Sequence, residues 1–326
     1  MAKNIAPAKA QKVVDPLSRT GFEKFLLDFG KNWQLHLMIF LPFVYMIIFH
    51  YVPMVGLQIA FRNFTPKAAI DHSEWMGLGN FVNFFTKNTQ ALEIILNTLY
   101  ISLYSIVASF PIPIILALTI HVNTNKVLKK VSQNVSYIPH FISVVIMIGI
   151  LNAVLDPYSG ILGSISRHFN LGYFPAIMAD EGAFRHIYVW SGVWQGMGWS
   201  SIIYVSALAA VPEDLHEAAK LDGASRIRRV WSVDLPTILP TIAIMLIMRF
   251  GSIMSVGYQK AYLMQNSGNT RVSEIISTFV YKKGLRGMDF GYSSAVGMMN
   301  SVVNTSMVVL VNWVTNVLTD NEMGLF

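Results

Sequence analysis

The chain has no cysteine, so disulfides, thiol redox chemistry and cysteine-ligated metal sites are excluded, and cysteine usage says nothing about compartment. Charge is scarce: 13% of residues are Asp, Glu, Lys or Arg, against roughly 25% in soluble domains. No G-x-x-x-x-G-K-[ST] segment occurs, so the chain builds no P-loop and any energy source lies elsewhere. No G-x-S-x-G nucleophile elbow occurs either. His216-Glu217 begins a zinc-protease pattern, but Lys220 stands where that helix face needs its second imidazole. The motif fails, no metal is expected, and the other histidines are scattered as satisfied or interfacial imidazoles. There is no long linker or low-complexity tract, so one membrane domain accounts for nearly everything.

What is present is apolar. Hydrophobic residues make up 53% of the chain and the mean hydropathy is +0.48. Crossing a bilayer takes about 20 mainly apolar residues. Segments that meet this are Leu35–Ile59, Ile94–Val122, Val135–Leu155, His186–Ala210, Thr237–Met264 and Gly291–Leu318. The expected fold class is therefore an all-α membrane protein with six transmembrane helices. Pro42, Pro53, Pro111, Pro113, Gly251 and Gly297 fall within these runs. Spanning helices tolerate them where neighbours satisfy the freed backbone groups. A large soluble helical protein would not carry apolar runs this long with so few charges.

Lys and Arg set the orientation. Even spans put both termini on one side. If that side is cytoplasmic, 13 basic residues lie inside, including Lys126, Lys129 and Lys130, and 9 lie outside. The segment Arg271–Arg286 opposes the bias, but the dense clusters beside the first three spans support it. The net charge of +6 sits in short loops beside spans, which argues against nucleic acid. Residues 1–34 are too long a polar stretch for a cleaved signal, and the run after them has no small-residue cleavage site. Phe22, Phe25, Leu26, Phe29 and Trp33 form a helical stripe, suiting a helix that lies in the cytoplasmic interface or packs on the inner rim of the bundle. The expected organisation is a cytoplasmic segment 1–34, a six-span membrane domain 35–318 containing the polar loop 212–236, and a cytoplasmic tail 319–326.

That polar loop carries the most specific pattern. Leu215, Ala218 and Ala219 fall on one face of a short helix. Pro212 and Asp214 suit its start, and Gly223 its end. A second short helix is expected from Ser225 to Ser232, before Pro236 restarts the chain. A helical hairpin this small cannot bury its own apolar face and wants a partner groove. Glu217-Ala218-Ala219, then Gly223, then Val233, Leu235 and Pro236 in register, resemble the EAA loop of ABC importer permeases, with Val233 where Ile is common. Tyr281-Lys282-Lys283-Gly284-Leu285, Asp289-Phe290-Gly291-Tyr292-Ser293-Ser294-Ala295-Val296-Gly297 and Glu322-Met323-Gly324-Leu325-Phe326 resemble the carbohydrate, polysaccharide-type branch of these type I importers.

The resemblance implies a permease subunit of an ATP-driven importer in a bacterial cell membrane, multi-pass, importing a sugar, with an oligo- or polysaccharide favoured. It implies a coupling loop that contacts the ATPase through Leu215, Glu217, Ala218, Ala219, Asp222 and Gly223. The implied partners are a second homologous permease in a heterodimer, two ATPase subunits, an extracytoplasmic substrate-binding protein and membrane lipid. The chain binds no cofactor in this reading; ATP and Mg belong to the ATPases. Peptide or amino-acid importers remain open within the class. An ion-coupled secondary transporter would usually carry membrane-buried carboxylates, which are nearly absent, and related halves, and would leave the EAA loop unexplained.

Polar groups inside spans are costly and so count as functional candidates. Arg249 lies about twelve residues into the fifth predicted span, roughly 18 Å along it and near mid-membrane. Ser252 and Ser255 follow it. The fourth span offers Trp194, Gln195 and Trp199, whose aromatic faces and amide suit sugar rings and hydroxyls. These six form the candidate substrate path. Bundle packing is the alternative role for the tryptophans, and a buried pairing is the alternative for Arg249.

Overall fold

The structure is a computed structural model that describes residues 29, 31–66 and 70–318. Most of the amphipathic stripe before Trp33 and the tail 319–326 lie outside the described residues. The chain divides into two compact units, Met1–Gln58 and Ile59–Phe326.

Among the described residues, the first unit is one helical track. Helix α1, Trp33–Met46, carries Pro42 inside it and passes into a π turn over Ile47–Tyr51 and a short α segment Val52–Met54. The π turn sits just ahead of Pro53. It widens the ladder where the proline ring would otherwise press on the carbonyl four residues back. None of these residues is buried within the chain, as befits a helix covered by lipid or by a partner.

The second unit contains α2 (Gly79–Thr86), α3 (Ala91–Ser109), α4 (Pro111–Val122), α5 (Lys126–Tyr137), α6 (Val144–Leu155), α7 (Ile161–His168) and α8 (Glu181–Ala209). It continues with α9 (Glu213–Leu221), α10 (Arg226–Arg229), α11 (Leu235–Phe250), α12 (Tyr258–Met264), α13 (Ile276–Tyr281) and α14 (Phe290–Leu318). Helix α8 is the axis: it packs on α3, α4, α5 and α11. Its upper half (Phe184, Tyr188, Val193) joins Ile101 and Met264 in one apolar core, and its lower half (Tyr204, Leu208) joins Ala117 and Ile238 in another. A third core sets Phe84 and Ile94 against Phe279 and Val296. Where α8 crosses the end of α5, a Cβ on Gly198 would stand 1.9 Å from the Ser136 carbonyl oxygen, so only glycine permits the approach.

Among the described residues, four helical stretches are long and apolar enough to cross a membrane: Trp33–Phe61, Ala91–Val122, Arg226–Phe250 and Phe290–Val317; a bent pair makes a fifth if counted as one span. Two expected spans are corrected. The run Val135–Leu155 is not straight: Lys126–Phe141 and Val144–Leu155 meet at 98°. Pro139 tightens the chain into a 3₁₀ turn, Ile142 is extended, and Ser143 caps α6 by accepting the Ile146 N–H at 3.3 Å. The run Thr237–Met264 is also broken, because α11 ends at Phe250 and α12 starts at Tyr258. Its freed backbone groups find distant partners. Asn304 accepts the Met254 N–H at 2.8 Å and donates to the Ser255 hydroxyl at 2.8 Å, while Ser277 donates to the Val256 carbonyl at 2.9 Å. Such compensation is what lets irregular backbone exist at membrane depth beside a cavity. The expected fourth span lies within α8, whose 29 residues reach about 43 Å but are interrupted by polar side chains.

Pro236 does not restart the chain. A π turn over Val230–Asp234 leads from α10 directly into α11, with the Leu235 N–H on the Val230 carbonyl. The device repeats the one before Pro53. After α6, Asp156 caps a turn by accepting the N–H groups of Tyr158 and Ser159 at 2.8 and 2.6 Å. Those hydrogen bonds hold its carboxyl below the usual carboxylate range.

Candidate functional site

Two polar regions stand out, one on the loop between α8 and α11 and one beside the break after α11.

On the loop, Glu213 and Asp214 occupy the first turn of α9 and Lys220 the last, matching the helix dipole. The C-terminus closes as a Schellman motif. The Ala224 N–H reaches the Ala219 carbonyl at 2.9 Å, and the Gly223 N–H reaches that of Lys220 at 3.0 Å. Gly223 has φ +73°, the left-handed conformation the motif needs. Ser225 caps α10 by accepting the Arg228 N–H.

The face that α9 turns inward is polar. Glu213, His216 and Lys220 line a cavity of about 560 Å³ together with His121, Arg226, Arg229 and Asp234. His216 and His121 approach the carboxylate of Asp234 with Nε2–Oδ1 distances of 3.2 and 3.5 Å. The apolar side faces out: Leu215, Leu221, Ile227 and Trp231 are exposed, and no residue of α9 is buried. An ordinary surface helix turns the other way. A helix anchored by its polar side, with its apolar side free, presents a docking surface. Of the residues singled out on the loop, Leu215, Glu217, Ala218, Asp222 and Gly223 are exposed and Ala219 is half-buried.

Beside the break, two small cavities of about 180 and 220 Å³ share Ser105, Ser109, Tyr188 and Arg249 as walls. Ser252 and Ser255 line the first; Gln195 and Lys260 line the second. Gln195 donates to the Ile142 carbonyl at 2.6 Å, tying α8 to the bend before α6. Lys260 is buried, donates to the Tyr188 carbonyl at 2.5 Å and lies 4.6 Å over the Tyr188 ring. Arg249 is exposed, and no carboxylate among the described residues pairs with it. The walls thus offer hydroxyls, an amide and two cations, with no acidic side chain.

The structure brings Gln195, Arg249, Ser252 and Ser255 to these walls. Trp194 and Trp199 do not line them: both are exposed, and Trp199 stacks on His140 with centroids 4.5 Å apart. Lys260 and the α3 serines were not anticipated. Ser102, Ser105 and Ser109 lie at helical spacing on one face, a signal readable in the sequence. Lys260 and Arg249 are the basic residues that fall to neither side of the membrane in the charge tally.

A family profile described as "Binding-protein-dependent transport system inner membrane component" matches residues 109–318. The chain belongs to this family. It is a permease subunit of an ABC importer, a multi-pass component of the bacterial inner membrane that transports rather than catalyses. The permease is 37% identical over 290 residues, 89% of its length and 90% of the relative's, to the polygalacturonan/rhamnogalacturonan transport system permease protein YteP of Bacillus subtilis. It is 34% identical to the protein LplB of the same organism over 90% of this chain and 91% of that one. Among solved structures, a chain of a bacterial ABC transporter involved in the import of the acidic polysaccharide alginate superposes with TM-score 0.82 at 33% identity. The match covers 91% of the permease and 99% of that chain. The alginate transporter has also been crystallised with its periplasmic protein bound to an alginate pentasaccharide, and a chain of that complex matches with TM-score 0.80.

Proposed function

We propose that this permease forms one half of the translocation path of an importer for acidic oligosaccharides. The observation that carries the reading is the pair of cavities walled by Arg249, Lys260, serine hydroxyls and Gln195, with no carboxylate to repel an anion. Cations facing a low-dielectric cavity attract carboxylates strongly, while hydroxyls and amides match those of a sugar. The substrates named for YteP and for the alginate transporter are acidic polysaccharides, which supports the same class.

In this reading six spans cross the membrane: the four outright, the bent pair and α8. Residues 1–34 and 319–326 and the loop 212–236 face the cytoplasm. The outward apolar side of α9, with Leu215, Glu217, Ala218, Ala219, Asp222 and Gly223, docks on one of two ATPase subunits that bind ATP and Mg. A second, related permease completes the path, and a binding protein delivers substrate from the other side. Closure of the ATPases moves α9 as a rigid body and switches the path between its two openings.

The test is uptake by the importer reconstituted with its ATPase and binding protein. Oligogalacturonate should be taken up in preference to a neutral oligosaccharide of equal length. Arg249→Gln should lower that uptake at least tenfold while the subunits still co-purify. Equal uptake of the neutral sugar, together with an indifferent Arg249→Gln, would overturn the reading.

A further inference from the structure

We propose that His121, His216 and Asp234 form a binding site for a divalent transition-metal ion of the zinc class. The three come from different elements: the end of α4, the inner face of α9 and the last residue of the π turn before α11. Their ligand atoms all lie within 4.8 Å of one another. The two imidazole Nε2 atoms stand 3.2 and 3.5 Å from the same carboxylate oxygen, Oδ1 of Asp234. A zinc ion bound at 2.0–2.1 Å sets tetrahedral ligands about 3.4 Å apart, so the two Nε2–Oδ1 spacings are those of ligands around one ion.

The polar atoms themselves ask for an occupant. The Asp234 side chain is 2% exposed, and both its Oδ1 and the His216 Nε2 are buried with no hydrogen-bond partner. They meet each other at 3.2 Å without a well-directed hydrogen bond; buried polar groups in that state are rare, and a shared ion is one of the few things that explains them. Two imidazoles and a carboxylate suit zinc and its first-row neighbours, and three protein ligands leave a fourth position open. That position faces the 560 Å³ cavity, where Glu213 supplies a further carboxylate. Lys220, Arg226 and Arg229 line the same cavity, and their charge weakens the affinity for a cation, placing it below that of an all-acidic cage. The sequence expectation of no metal rested on a single helix face; His121 enters from α4, which spacing along one helix cannot reveal. A bound ion would clip α9 to the ends of α4 and α11. This site does not depend on what α9 docks against.

The assay uses the whole importer, purified through a histidine-free tag, stripped with chelator and titrated with cobalt(II) at micromolar concentration. A visible d–d band saturating at one equivalent per copy of this chain is expected. Affinity should fall at least tenfold in His121→Gln, His216→Gln and Asp234→Asn and stay unchanged in His168→Gln, an exposed residue of α7. If a variant does not assemble, the wild-type importer still decides. Zinc(II) should raise its melting temperature by several degrees and chelator should reverse the rise. Absence of both the band and the shift would mean a hydrogen-bonded His–Asp–His cluster without an ion. A band that persists in all three variants would place the metal elsewhere. Either result overturns the proposal.

Discussion

Replacing Gly223 by valine isolates one physical term. The residue sits at φ +73°, and a Cβ built there meets nothing within 4 Å, so the cost is conformational and not a clash. An L-residue held in the left-handed region costs about 1–2 kcal/mol, and a β-branched one lies at the upper end. Escaping that strain means giving up the two capping hydrogen bonds from Ala224 and Gly223, each about 0.5–1.5 kcal/mol and nearer the lower figure in water. Either way the closed helix end loses about 2 kcal/mol. At 1.4 kcal/mol per tenfold, that is a fall of roughly 30-fold in the ratio of formed to frayed ends. Helix α9 has nine residues and none is buried, so packing within the chain cannot restore it. Substrate-stimulated ATP hydrolysis of the reconstituted importer should fall in the order Gly223, Asn, Ala, Val. Asparagine should stay close to wild type, because it tolerates the left-handed region. A valine variant that couples normally would refute the reasoning. So would an asparagine variant as impaired as valine, which would assign Gly223 to close approach by the partner.

Other outcomes follow from the packing. Gly198→Leu should abolish accumulation of the subunit on blots, because its Cβ alone would stand 1.9 Å from the Ser136 oxygen. Asn304→Leu strips the N–H of buried Met254 of its partner; at about 1–3 kcal/mol for one unsatisfied buried group, it should lower the melting temperature of the purified complex by several degrees, while the exposed Ser255 hydroxyl turns to water. Asp156→Asn should destabilise at neutral pH only. The depressed carboxyl stabilises the fold above its ordinary range near ~4 and loses that contribution as pH falls through its folded value, so the melting difference from wild type should vanish in acid.

The apolar runs and the EAA spacing were legible because each is a local property: span length follows from run length, and helix α9 from Pro212, the acidic first turn and Gly223. The breaks after Tyr137 and Phe250 were hidden inside equally apolar runs. What makes them tolerable is remote, as with Asn304, which serves Met254 from 50 residues away. The inversion of α9 was equally hidden. Leu215, Ala218 and Ala219 read as an apolar face without saying which way it points, and that is decided by His216 and Lys220 meeting a cavity walled from α4 and α10. Aromatic chemistry favoured Trp194 and Trp199; both are exposed, and Trp199 stacks on His140, a contact that a single span does not reveal. Lys260 is marked by no local pattern; the break after Phe250 folds it back over Tyr188.

The most direct measurement is a cross-link between α9 and the ATPase. The chain has no cysteine, so Ala218→Cys gives a single thiol on the exposed side of the helix. With a short bifunctional thiol reagent and the importer assembled in membranes, this variant should yield a covalent adduct with the ATPase subunit. Ser267→Cys, between α12 and α13 and so on the non-cytoplasmic face in the proposed six-span topology, should yield none. An adduct from Ser267→Cys and none from Ala218→Cys would contradict the assignment of α9 as the coupling helix.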